Sequence, residues 1–131
     1  MSAVDVSSEF APDPPAVGAA RRFLRQALQD QLDGHAGSDL ADSLLMAANE
    51  LATNAVMHAR TEFTVRLLVA PDRVRVEVAD ENSRVPQPCL APADATSGRG
   101  LAIVDSSGLD WGVDRHPGGK TVWVQGARPA G

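Results

Sequence analysis

The amino-acid sequence predicts an α+β fold, a two-layer α/β sandwich whose helices lie on one side of a mixed, mostly antiparallel sheet. Three observations carry the prediction. Residues 14–32 and 38–59 place apolar side chains at helical spacing. Residues 63–69 and 74–78 alternate apolar and polar side chains across a Pro71-Asp72 turn. A second alternating pair, 109–114 and 121–125, is joined by His116-Pro117-Gly118-Gly119. A length of 131 residues suits one core, and 44% hydrophobic with 22% charged residues is a globular composition.

The elements follow in order. Val4, Val6 and Phe10 alternate weakly, so residues 1–12 read as an edge strand or an arm. Asp13 caps a helix that Pro14 and Pro15 can open, because a first-turn N–H has no intrahelical partner anyway. Its inner face is Val17, Ala20, Phe23, Leu24, Ala27 and Leu28. Asp33-Gly34-His35-Ala36-Gly37 breaks it, and Ser38 or Asp39 starts a longer helix reaching about Ala59. Asn82 to Gly98 has three prolines and no period, the mark of a functional loop or lid. Gly100 to about Ser107 is predicted to be a short helix before the closing hairpin. One domain is expected over 13–126, with 127–131 a flexible tail.

Composition excludes several classes. Twelve basic against seventeen acidic residues give a net charge of −5, unsuited to holding nucleic acid or anionic lipid by bulk charge. No apolar run approaches the roughly 20 residues of a membrane span, and the first residues have no signal-peptide pattern. One cysteine, Cys89, excludes an internal disulfide and a multi-cysteine zinc site. A cytoplasmic chain without direct contacts to nucleic acid or membrane is expected. Eleven of the basic residues are arginine, and Lys120 is the single lysine.

The second helix carries a polar row. Leu40, Leu44, Leu45, Ala48, Leu51, Ala52, Ala55 and Val56 form an apolar arc, with Asp42, Asn49 and Thr53 opposite. Glu50, Asn54 and His58 recur every four residues along one edge of the arc. By itself such a row is an ordinary solvated edge, whose i,i+4 pairs contribute only ~0.2–0.5 kcal/mol each. The run Glu50-Leu51-Ala52-Thr53-Asn54-Ala55-Val56-Met57-His58-Ala59, however, resembles the N-box of the GHKL ATPases, the Bergerat-fold superfamily that includes gyrase and the histidine kinases. It is most similar to the anti-sigma factor serine/threonine kinases. The resemblance implies that Asn54 gives an oxygen to the Mg²⁺ that bridges the ATP phosphates, and that Glu50 is the general base. The chemistry agrees, since Mg²⁺ takes one or two hard protein oxygens alongside phosphate and water. His58 is expected to pack or to make a local hydrogen bond.

Further matches lie downstream. Asp80 ends a strand where the family opens its G1 box, and the resemblance implies that it accepts a hydrogen bond from the adenine amino group. The sequence then departs from the family: Asp80-Glu81-Asn82-Ser83-Arg84 lacks both glycines of the Asp-x-Gly-x-Gly motif, with Asn82 in the first glycine's place. Asparagine tolerates left-handed backbone better than most residues. Thr96-Ser97-Gly98-Arg99-Gly100-Leu101 resembles the G2 box, which implies that Gly98, Arg99, Gly100 and Leu101 meet the phosphates at a helix N-terminus. Residues 83–97 would form a short ATP lid. Thr121, after a glycine-rich turn, takes the place of the family's adenine-binding threonine. Lys120 sits in no P-loop pattern, Cys89 has no base near it in sequence, and Trp111 and Trp123 are expected to be packing aromatics.

The resemblance spans about Pro14 to Val124 and implies an ATP- and Mg²⁺-dependent serine/threonine kinase. Its partners would be an anti-anti-sigma protein of the STAS type, which it phosphorylates, and a sigma factor, which it sequesters. A homodimer is compatible with it. The altered G1 box also admits a second reading, a regulatory binding module of the same fold with weak or no ATP binding.

Overall fold

The computed structural model describes residues 4–32, 38–82 and 109–127. In chain order the elements are strand β1 (Val4–Phe10), helix α1 (Pro14–Leu32), helix α2 (Ser38–Asn54), a π-helical turn (Ala55–Ala59), and strands β2 (Phe63–Val69), β3 (Arg73–Asp80), β4 (Asp110–His116) and β5 (Gly119–Ala127). The strands form one five-stranded sheet in the order β1-β2-β3-β5-β4. Every pairing is antiparallel, so among the described residues the sheet has no parallel pair, where a mixed sheet was expected. No helix among them is long and apolar enough to cross a membrane.

The two-residue period sorts side chains between two sheet faces. Phe63, Val65, Leu67 and Val69 of β2, Val74, Val76 and Val78 of β3, and Val122 and Val124 of β5 are buried on one face. They meet Leu24 and Leu28 of α1 and Leu44, Ala47, Ala48, Leu51 and Ala52 of α2 in a single cluster. Of the two alternatives for the N-terminal segment, Val4–Phe10 takes the edge strand: β1 pairs with β2 along its whole length, from Val4↔Val69 to Phe10↔Phe63. Phe10 fixes that edge by stacking on Phe63 at 5.5 Å and leaning on Phe23 of α1 at 6.2 Å.

The other face bears polar and charged side chains. Arg66 holds Asp5 (Nε to Oδ1, 2.8 Å) and stands 3.6 Å from Glu77. Arg75 donates to Glu77 at 2.9 Å, lies 3.8 Å from Asp114, and sits 4.3 Å above the Trp123 ring. Trp123 covers its cross-strand partner Gly112, where a Cβ would collide with the indole. Trp111, one residue away, points to the opposite face and packs against the core. The β4–β5 turn uses Pro117 and Gly118, and Gly118 adopts φ 79°, as position i+2 of a type II turn requires.

Candidate functional site

The second helix ends differently from its sequence pattern. After Asn54 the backbone widens into the π turn, and the Arg60 N–H reaches back five residues to the Ala55 carbonyl at 2.8 Å. Arg60 closes it in a left-handed conformation, φ 58°. Such turns add a residue to the helical circuit and recur at functional sites. Glu50 and Asn54 stay one α-helical turn apart and half-buried, whereas Met57 and His58 are swung out and exposed. Neither the Glu50 nor the Asn54 side chain has a hydrogen-bond or ion-pair partner among the described residues, and the Asn54 side chain makes no cap. Thr53 and Asn49, expected to face water, are half-buried, with the Thr53 hydroxyl donating to the Asn49 carbonyl at 2.8 Å.

Asp80, the last residue of β3, is 7% exposed. Its cross-strand neighbour is Lys120, 4% exposed, at the start of β5. The Lys120 ammonium donates to Asp80 Oδ1 at 3.0 Å and Oδ2 at 2.9 Å, and to the Asn82 carbonyl at 2.9 Å. Asp80 Oδ1 also accepts the Asn82 N–H at 2.8 Å, which folds the chain into an Asx turn without glycine. Gly119 permits this closeness, because a Cβ there would collide with the Asp80 carbonyl oxygen. The turn is fastened to the end of the second helix: Asn82 Nδ2 donates to the Ala59 carbonyl at 3.4 Å, and the Glu81 N–H to Thr61 Oγ1 at 2.9 Å. The Asp80 turn therefore abuts the C-terminal end of the helical segment that carries Glu50 and Asn54.

Residues 10–125 match the family model of the histidine kinase-like ATPase domain, which covers most of the chain. The chain belongs to the histidine kinase-like ATPase family. Among curated proteins it is 39% identical over 87 residues to the uncharacterized protein SCO4941 of Streptomyces coelicolor, covering 63% of this chain and 80% of that one. Among solved structures it resembles the RsbU and RsbW domains of Rv1364c from Mycobacterium tuberculosis, with TM-score 0.66 and 20% identity, covering 97% of this chain and 33% of that one. The chain thus spans about a third of that protein's length. It also resembles the histidine kinase domain of the blue-light activated histidine kinase from Erythrobacter litoralis EL346, with TM-score 0.55 and 21% identity, covering 83% of this chain and 59% of that one. At these identities the solved structures share the fold, which is the GHKL type.

Within this ATPase domain the residues singled out by sequence separate. Asp80 and Asn82 form the turn that touches the end of the helical segment carrying Glu50 and Asn54. Thr121 does not line it. Its register partner is Ala79, its side chain lies on the sheet face away from Asp80, and its hydroxyl pairs with His116 Nε2 at 3.2 Å. A step of one residue along a strand reverses the face, so the position facing Asp80 is Lys120. The sequence contains the signal that would have found it: Lys120 shares its parity with the apolar Val122 and Val124, Thr121 with Trp123 and Gln125. Gly98, Arg99, Gly100 and Leu101, the lid at 83–97, Cys89 and the helix expected near 100–107 lie outside the described residues.

The donor set suits Mg²⁺ in one respect. Asn54 offers a hard amide oxygen without a partner among the described residues, and Mg²⁺ completes its shell with phosphate and water. No three His, Cys, Asp or Glu side chains among those residues cluster as an all-protein metal cage.

Proposed function

We propose that this domain binds ATP with Mg²⁺ and is a serine/threonine kinase of the anti-sigma type, acting on a STAS-type anti-anti-sigma partner and sequestering a sigma factor. The observation that carries the reading is the bond from Asn82 Nδ2 to the Ala59 carbonyl, which joins the buried Asp80 turn to the helix of Glu50 and Asn54. That contact supports a reading in which Asp80 borders the base and the helix carrying Asn54 serves the phosphates and the metal. The family match and the likeness to a structure that contains RsbU and RsbW domains support it. A homodimer belongs to the same proposal, and sedimentation of the purified chain tests it.

The roles follow from the side chains. Asn54 would hold Mg²⁺, which neutralises phosphate charge when bound. Gly98, Arg99, Gly100 and Leu101 would cradle the phosphates, and Asp80 with Asn82 would border the base. Glu50, without a competing partner among the described residues, would take the proton of the partner's hydroxyl as its oxygen attacks the γ-phosphorus and the bond to ADP breaks. Positioning and charge neutralisation supply most of the acceleration in such transfers.

ATP·Mg²⁺ at about 100 times its Kd should stabilise the fold by ~2.7 kcal/mol, read as a rise in Tm. Radiolabelled γ-phosphate should then reach a STAS-type protein, and Glu50→Ala should abolish transfer while binding is retained. Asn54→Ala should lose the Mg²⁺-dependent part of binding. One observation favours a non-catalytic regulatory module instead: Lys120 already engages both oxygens of Asp80. ATP binding without any transfer would select that second reading, and an unchanged Tm would remove the nucleotide role.

A further inference from the structure

The function proposed above gives Lys120 no task, yet this single lysine is, with Asp80, one of the buried polar side chains among the described residues. An ammonium carries three N–H donors, and three acceptors stand within 3.0 Å of it: Asp80 Oδ1, Asp80 Oδ2 and the Asn82 carbonyl. From the carboxylate's side, Oδ1 receives Lys120 and the Asn82 N–H, and Oδ2 receives Lys120. Of the roughly four lone-pair positions of a carboxylate, about three are thus met from within the chain. Its charge is met as well.

Selectivity of a buried polar group comes mainly from the cost of leaving it unpaired. A bare carboxylate in a closed pocket rejects a base that has no amino group to donate. A carboxylate already paired with an ammonium carries no such penalty. The pairing is built into the strand geometry: Asp80 and Lys120 are register partners on the same face, and Gly119 lets the two strands close over the Asp80 carbonyl.

We propose that Lys120 is an internal counter-ligand of Asp80, a positioning residue that makes this a base-tolerant nucleoside triphosphate site. The ammonium satisfies the carboxylate in place of the exocyclic amino group of a base, and affinity resides in the phosphate end. This rests on the reading of Asp80 as the base end of a nucleotide site.

The test compares ATP with purine riboside triphosphate, which has hydrogen in place of the 6-amino group, each titrated calorimetrically with Mg²⁺. The wild-type chain should bind both within about threefold. In Lys120→Thr, with its fold verified by near-ultraviolet circular dichroism, ATP should become preferred by about tenfold or more, the scale of one hydrogen bond to a charged group. A merely structural lysine would weaken both nucleotides alike. A wild-type preference for ATP of tenfold or more overturns the proposal, as does a folded Lys120→Thr chain that discriminates no better than wild type. Should the variant not fold, the wild-type comparison decides alone. If neither nucleotide binds wild type or the folded variant, the nucleotide reading itself fails and the proposal with it. Tight binding without discrimination leaves that reading intact.

Discussion

Among the carboxylate–cation pairs that bridge neighbouring strands of this sheet, two live in opposite media. Asp80 and Lys120 meet on the helix-covered face with side chains 5% exposed on each partner. Asp5 and Arg66 meet on the open face at 47% and 44%. Both have good hydrogen-bond geometry, so contact distance cannot tell them apart. Solvent does. A buried charge that loses its partner keeps its desolvation cost, whereas an exposed one is rehydrated. The covered pair therefore constrains the fold and the turn beside it, while the exposed Asp5–Arg66 pair adds little to stability.

The sharpest way to break the comparison is to remove half of each pair. Lys120→Met leaves the buried Asp80 carboxylate with the Asn82 N–H but no countercharge, and is expected to cost ~3–5 kcal/mol in urea unfolding. Adding Asp80→Leu to that variant removes the orphaned charge and should restore most of the loss, because apolar replacement of a whole buried pair is often neutral. If the double variant is as unstable as the single one, the pair holds the fold by shape and not by charge.

Next in size is Gly112→Ala on the open face. A Cβ there collides with the Trp123 ring, which must tilt away and carry Arg75 with it. Overpacking of this kind costs ~1–3 kcal/mol, toward the lower end where the ring can move into solvent. Tryptophan fluorescence should shift together with the unfolding midpoint. Thr121→Val is smaller. It deletes the hydroxyl contact to His116 and should cost ~0.5–1 kcal/mol. Its nucleotide affinity should equal wild type, unlike that of Lys120→Thr, since Thr121 lies on the face away from Asp80.

The two faces also differ in how far they can be read from sequence. Alternation in Val74, Val76 and Val78, and in Phe63, Val65 and Leu67, is a local signal, and it located β2, β3 and their buried face. The helical row of Glu50 and Asn54 is equally local. What escaped needed long-range register. Lys120 and Asp80 are 40 residues apart, and their contact exists only once β5 pairs with β3. Thr121, which the family resemblance implies, stands one position beyond Lys120, whose parity with Val122 and Val124 marks the covered face. The π turn after Asn54 has no sequence rule that distinguishes it from continued α-helix, and it moved His58 out of the polar row. β1 looked ambiguous because its anchor, Phe10, finds its partners on β2 and α1.

The smallest expected effect sharpens the comparison by its sign. The Arg66 guanidinium, chiefly through its hydrogen bond, holds the Asp5 carboxyl below its usual value of 3.8. A depressed carboxyl pKa means that the unfolded chain binds the proton more readily, so the stabilisation is present above the unfolded value and disappears as pH falls through the folded one. Asp5→Asn should therefore leave the Tm unchanged within error at pH 7, because the pair is open to water. Between about pH 4 and pH 2 wild type should lose slightly more stability than the variant, and added salt should erase the difference. A Tm drop at neutral pH as large as that of Lys120→Met would mean that this face is covered in solution, and the contrast between the two faces would then disappear.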